Sequence, residues 1–157
     1  MENNEKIENK DCEKNIIREF KKVQILFEKN LNKILEQYDL TTAQSSIIAY
    51  LFESEKQNKE VQQKDLEEYF YLKNPTETGI LDRLEVKKYI VRKISKEDKR
   101  KRLIYLTPKA RKIHEAANES VISFRDKAVK GITKEEVKAV ISIVNKMSSN
   151  LDNIDEV

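Results

Sequence analysis

Residues 73–107 constrain the fold more than any other stretch. Lys73-Asn74-Pro75-Thr76-Glu77 is a helix start. Asn74 suits the N-cap, and Pro75 suits the first helical position, where a missing amide costs nothing. Glu77, three residues past the cap, can return its carboxylate to the cap amide. The helix opened here runs to about Lys87 with Ile80, Leu81 and Leu84 inward. Two runs rich in β-branched and aromatic residues follow, Tyr89–Ile94 and Leu103–Leu106. Between them lies Ser95-Lys96-Glu97-Asp98-Lys99-Arg100-Lys101-Arg102. The pattern predicts a two-stranded hairpin with a charged tip.

Helices surround this unit. Ile16, Phe20, Val23, Phe27, Leu31, Ile34, Leu35 and Tyr38 are spaced by threes and fours, the mark of one long amphipathic helix that Asp39–Leu40 breaks. Thr41 or Thr42 caps a second helix carrying Ile47, Ile48, Leu51 and Phe52, with a polar loop expected over Glu53–Glu60. Val61 is expected in a short strand, and Gln62–Phe70 in a short helix with Leu66, Tyr69 and Phe70 inward. After the hairpin, Thr107-Pro108 opens a helix with Ala110, Ile113, Ala117, Val121, Phe124 and Ala128 on one face, ended by Gly131. Thr133 and Glu136 form a capping box for a last helix striped by Val137, Val140, Ile141, Val144, Met147 and Leu151.

The order is four helices, a hairpin and two helices. The fold expected is mainly α with a small β-hairpin wing: a winged helix-turn-helix core (39–106) between an N-terminal helix (1–38) and C-terminal helices (107–157). The outer helices have apolar stripes and little to cover them. A symmetric homodimer buries them most simply; a monomeric bundle of the terminal helices is the alternative.

Composition narrows the function. Charged residues make up 38% of the 157 and hydrophobic residues another 38%, which suits an elongated helical chain whose core is completed by subunit contacts. No apolar run has the length of a membrane span, and no leader pattern is present, so neither membrane insertion nor secretion is expected. Two glycines exclude the glycine-rich phosphate loops, and a single Cys and a single His exclude a disulfide framework and argue against a zinc cluster or a Cys–His nucleophile. A cytoplasmic, cofactor-free, non-enzymatic protein is expected. The net charge of +3 hides an asymmetry: Arg83 to Lys112 holds thirteen Lys/Arg against three acids, a local +10 that leaves −7 for the rest. A basic block on an otherwise acidic chain fits a polyanion partner; a solvated face is the alternative.

The sequence resembles the multiple-antibiotic-resistance regulator (MarR) family of bacterial winged-helix transcription factors. Leu40-Thr41-Thr42-Ala43-Gln44 matches the opening of that family's second helix, and Gln63-Lys64-Asp65-Leu66 the start of its scaffold helix. Asn74 to Glu85 resembles its recognition helix, ending in Arg83-Leu84-Glu85. Asp98-Lys99-Arg100 followed by Leu106-Thr107 matches its wing signature. Three positions depart: Lys88 and Ala110 stand where glycines are usual, and Glu77 replaces an apolar residue. Lys88 implies a slightly different turn, since a non-glycine residue resists positive φ.

The resemblance implies a homodimeric DNA-binding repressor, with activation as the less common mode. Asn74, Thr76, Thr78, Gly79 and Arg83 are the expected contacts of the recognition helix; the threonines can bond bases or phosphates, and Arg83 can read guanine or clamp phosphate. Arg83 in an ion pair and Gly79 as a mere small residue are the plainer alternatives. Asp82 repels phosphate, so that end of the helix should tilt away. In the wing, Arg100 would enter a minor groove. Asp98 would orient it through a bidentate pair. Lys96, Lys99, Lys101 and Arg102 would neutralise phosphates. The resemblance also allows a small aromatic effector in the cleft between arm and winged helix, with no motif to fix its residues. Peroxide sensing by Cys12 is disfavoured by Asp11 and Glu13, which raise a thiol pKa. His114 reads as a surface or packing residue. A winged-helix protein-interaction module without sequence-specific DNA binding is the competing function.

Overall fold

The computed structural model describes the backbone of residues 2–71, 75–95 and 98–152 and the side chains of 15–71, 79–95 and 98–152. The chain divides into two compact units, Met1–Ile122 and Ser123–Val157. Six helices and one hairpin are described: α1 (Glu2–Glu36), α2 (Thr42–Lys56), α3 (Gln63–Tyr69), α4 (Pro75–Val86), β1 (Ile90–Ile94), β2 (Arg102–Leu106), α5 (Pro108–Ala128) and α6 (Lys134–Asp152).

The caps written in the sequence are made. Thr41 caps α2: its hydroxyl accepts from the Gln44 amide at 3.3 Å while the Gln44 side chain accepts from the Thr41 amide at 3.2 Å. The Thr107 hydroxyl accepts from the Ala110 amide at 3.2 Å, and Thr133 and Glu136 form the expected box before α6. Asn74 lies outside the described residues, as does the Glu77 side chain.

In the first unit, Leu35, Ile47, Ile48, Leu51, Leu66, Leu81, Leu84 and Ile90 are fully buried. Burying these apolar side chains drives α2, α3 and α4 onto the hairpin. β1 and β2 pair antiparallel, with Ile90 opposite Leu106 and Ile94 opposite Arg102.

Three expectations are corrected. The polar loop at Glu53 gives way to helix as far as Lys56, because Ser54 is buried and Glu55 pairs with Arg111 of α5. The strand expected at Val61 reduces to one bridge, Gln62 to Leu103, supported by the Ile104 amide donating to the Val61 carbonyl at 2.9 Å. Tyr69 points outward, 62% exposed, because Leu66 fills the single inward position that seven residues provide.

Gly131 takes φ 84° after α5, but a chain with two glycines must end most of its helices without one. Asp39, Asn58, Tyr71 and Lys88 all take positive φ, between 53° and 59°, after α1, α2, α3 and α4. At Asp39, Asn58 and Lys88 the closing bonds form a Schellman turn: Leu40 to Leu35, Lys59 to Ser54 and Tyr89 to Leu84. Lys88 therefore makes the left-handed turn that a glycine would make, with strain, instead of the different turn expected from its side chain.

Candidate nucleic-acid interface

Two elements carry the candidate interface. Leu81 and Leu84, both fully buried, fix the inner face of α4. That leaves Asp82 and Arg83 exposed, and a Cβ built on Gly79 would meet nothing within 4 Å. Thr76 and Thr78 lie in α4, but their side chains are outside the described residues. Arg83 makes no ion pair among the described residues, so the intrahelical pair weighed for it is absent there.

Asp82 does not stand alone against phosphate. Its Oδ1 lies 2.7 Å from Nη1 of Arg92 on β1. The same nitrogen lies 3.2 Å from Glu85 Oε2, and the Arg92 amide donates to Glu85 Oε1 at 3.2 Å. Arg92 is a functional candidate that sequence reasoning missed. The signal was there: Ile90 and Arg92 share a strand face, and a charge beside a buried Ile calls for a charged partner.

The second element is the wing tip. Lys96 lies outside the described residues. Ser95 is buried, its amide donating to the Lys101 carbonyl at 3.0 Å. Asp98 accepts two bonds on one oxygen, Oδ1: from the Arg100 amide at 3.0 Å and from Arg100 Nε at 3.3 Å. The bidentate fork expected between them is therefore not formed; a backbone amide takes the place of the second guanidinium nitrogen. These bonds, the backbone one foremost, hold the Asp98 carboxyl below its ordinary value. The Arg100 side chain is 92% exposed at the tip. Lys99, Lys101 and Arg102 are exposed beside it.

The basic block divides by role. Lys87 is held by Asp39, Nζ to Oδ1 at 2.9 Å. The Lys109 ammonium sits 4.6 Å from the centre of the Tyr89 ring and donates to the Lys87 carbonyl. Arg111 grips Glu55, and Arg92 grips α4. Exposed cations remain at Arg83, Lys88, Lys112 and the wing tip, and at Lys93, whose ammonium lies 5.6 Å from the centre of the Tyr105 ring. His114 packs its ring 4.5 Å from that of Phe52, and burial lowers its pKa. The Cys12 side chain is outside the described residues. No group of three or more metal-ligating side chains occurs among the described residues, and no described helix is long and apolar enough to cross a membrane.

A helix with an exposed outer face beside a cation-tipped β-ribbon defines a winged helix-turn-helix, a DNA-binding class. Residues 29–117 match the family described as transcriptional regulator SarA/Rot. The chain is 35% identical to the transcription regulator MarR from Oenococcus oeni PSU-1 over 85% of this chain and 98% of that one, with a TM-score of 0.72. It is 26% identical to MepR of S. aureus, solved as a DNA complex, over 84% of this chain and 93% of that one, with a TM-score of 0.76. It is also 29% identical to YwoH, an uncharacterized HTH-type transcriptional regulator of Bacillus subtilis (strain 168), over 73% of this chain and 80% of that one. The chain belongs to the SarA/Rot regulators within the MarR-like winged-helix family. It is a DNA-binding transcriptional regulator and not an enzyme.

Proposed function

We propose that this regulator is a cytoplasmic homodimeric repressor of a pseudo-palindromic operator with half-sites roughly 10 base pairs apart. The observation that carries the reading is the Arg100 guanidinium, exposed at the wing tip while its own amide and Nε hold Asp98. Arg100 enters the minor groove, with Lys96, Lys99, Lys101 and Arg102 on the flanking phosphates and Asp98 keeping the tip in shape. Asn74, Thr76, Thr78, Gly79 and Arg83 meet the major groove. Residues 39–106 bind DNA, and residues 1–38 and 107–157 pair the two copies. Pairing is supported by apolar side chains open to solvent in the single chain, Val23 and Leu26 on α1 and Val140 and Ile141 on α6. A small aromatic anion that favours another spacing of the two recognition helices releases the operator.

The test is a gel shift with random AT-rich duplexes at low salt, run beside a sedimentation measurement. Two chains per bound duplex are expected. A single stable subunit without attraction to duplex overturns the reading in favour of a protein-binding wing.

A further inference from the structure

Arg92 is the one wing residue that holds the recognition helix by its side chain among the described residues. It reaches α4 through two ion pairs and a backbone bond, to Asp82 and Glu85. These acids stand three apart and so lie on one side of the helix, a turn from each other. The Arg92 side chain is 20% exposed against 66% for Asp82, so the guanidinium lies beneath the carboxylate and not in front of it. Its Nε is enclosed and has no partner among the described residues. An enclosed donor left open calls for a reason. The reason the geometry offers is the grip on α4.

We propose that Arg92 is a positioning residue for operator recognition. It fixes the spacing between recognition helix and wing, so that both reach one duplex together, and it covers the negative end of the helix. The proposal rests on the DNA-binding reading above. A direct phosphate contact is the competing role, and the low exposure of Arg92 speaks against it.

Asp82→Ala gives the cleanest test, because simple electrostatics and positioning predict opposite signs. Removing an acid beside the duplex should tighten binding if charge alone counts. If Arg92 positions the wing, removing its strut should weaken binding. The probes are the tightest duplex that the wild-type protein selects from a random pool, and a scrambled duplex of equal length at low salt. For Asp82→Ala we expect affinity for the selected duplex to fall about threefold or more while the scrambled duplex binds as well or better. For Arg92→Ala we expect a loss of about tenfold or more on the selected duplex and little on the scrambled one. Arg100→Ala should then cost less in the Arg92→Ala background than alone, because a wing no longer aimed has less to lose. Melting curves accompany each variant; should Arg92→Ala not fold, the sign for Asp82→Ala decides. Tighter binding of both duplexes by Asp82→Ala overturns the proposal, as do independent losses from Arg92→Ala and Arg100→Ala. Wild-type protein that selects no duplex fails the DNA-binding reading itself, which is a different result.

Discussion

Arg111 and Glu55 meet at two points, Nε to Oε2 at 2.9 Å and Nη2 to Oε1 at 2.8 Å, tying α5 to the last turn of α2. Both side chains are about one-third exposed. Solvent screening therefore keeps the pair well below the worth of a buried one. Arg111→Ala should destabilise the protein by about 1 kcal/mol, and a double-mutant cycle with Glu55→Ala should give a coupling of about 0.5–1 kcal/mol. Arg111→Lys should recover only part, since an ammonium cannot span both oxygens. Denaturant melts of the four proteins measure this.

Lys88 takes φ 59° at the turn between α4 and β1. Its carbonyl accepts from the Thr107 hydroxyl at 2.7 Å, a bond that any residue at 88 retains. Lys88→Gly should therefore stabilise the fold by about 0.5–1 kcal/mol and raise Tm by about 1–4 °C. Lys88→Ala keeps the Cβ and should give no such gain. Thermal melts at low and high salt separate the backbone effect from the lost charge.

His114 contributes a pH dependence. Burial, and then the Lys56 ammonium, hold its pKa below the ordinary 6.5. The folded protein thus disfavours the imidazolium. Between the depressed value and 6.5 the unfolded chain binds more protons, so stability rises with pH there. The contribution is complete above 6.5 and is lost as pH falls through the folded value. His114→Gln should flatten this slope in melts across mildly acidic pH, and an unchanged slope would assign it to other groups.

The sequence made the element order readable because its signals are local. Thr41, Thr107 and Thr133 announce helix starts by chemistry that acts over three residues, and β-branched runs mark the hairpin. What it concealed depends on distant partners. Glu55 extends α2 because Arg111, fifty-six residues on, waits for it. Asp82 looked like a repulsive charge until register placed Arg92 under it. Lys88 looked like a departure from the glycine turn because propensity disfavours positive φ, yet the packing of Leu84 and Tyr89 on either side imposes it. The wing tip was legible as a charged turn, whereas the use of one Asp98 oxygen for two donors follows from backbone geometry that composition does not encode.

Arg100→Ala should lower operator affinity at least about tenfold with little change in melting, because an exposed guanidinium at a tip supports no core. Asp98→Ala should weaken binding less, by loosening the turn. The depressed carboxyl of Asp98 fixes the sign of its pH effect: its contribution stands above the ordinary carboxylate range and is lost as pH falls through the folded value. The ionisation of Asp98 should therefore add no pH dependence to operator affinity across neutral pH. Fluorescence anisotropy of a labelled duplex checks both variants.

The salt dependence of duplex binding by the wild-type protein tests the central claim most directly. If two wings and two recognition helices neutralise roughly eight phosphates together, the plot of log affinity against log salt falls with a slope of about −7. A slope near zero, with affinity unmoved by salt, would contradict a protein whose exposed cations exist to hold DNA.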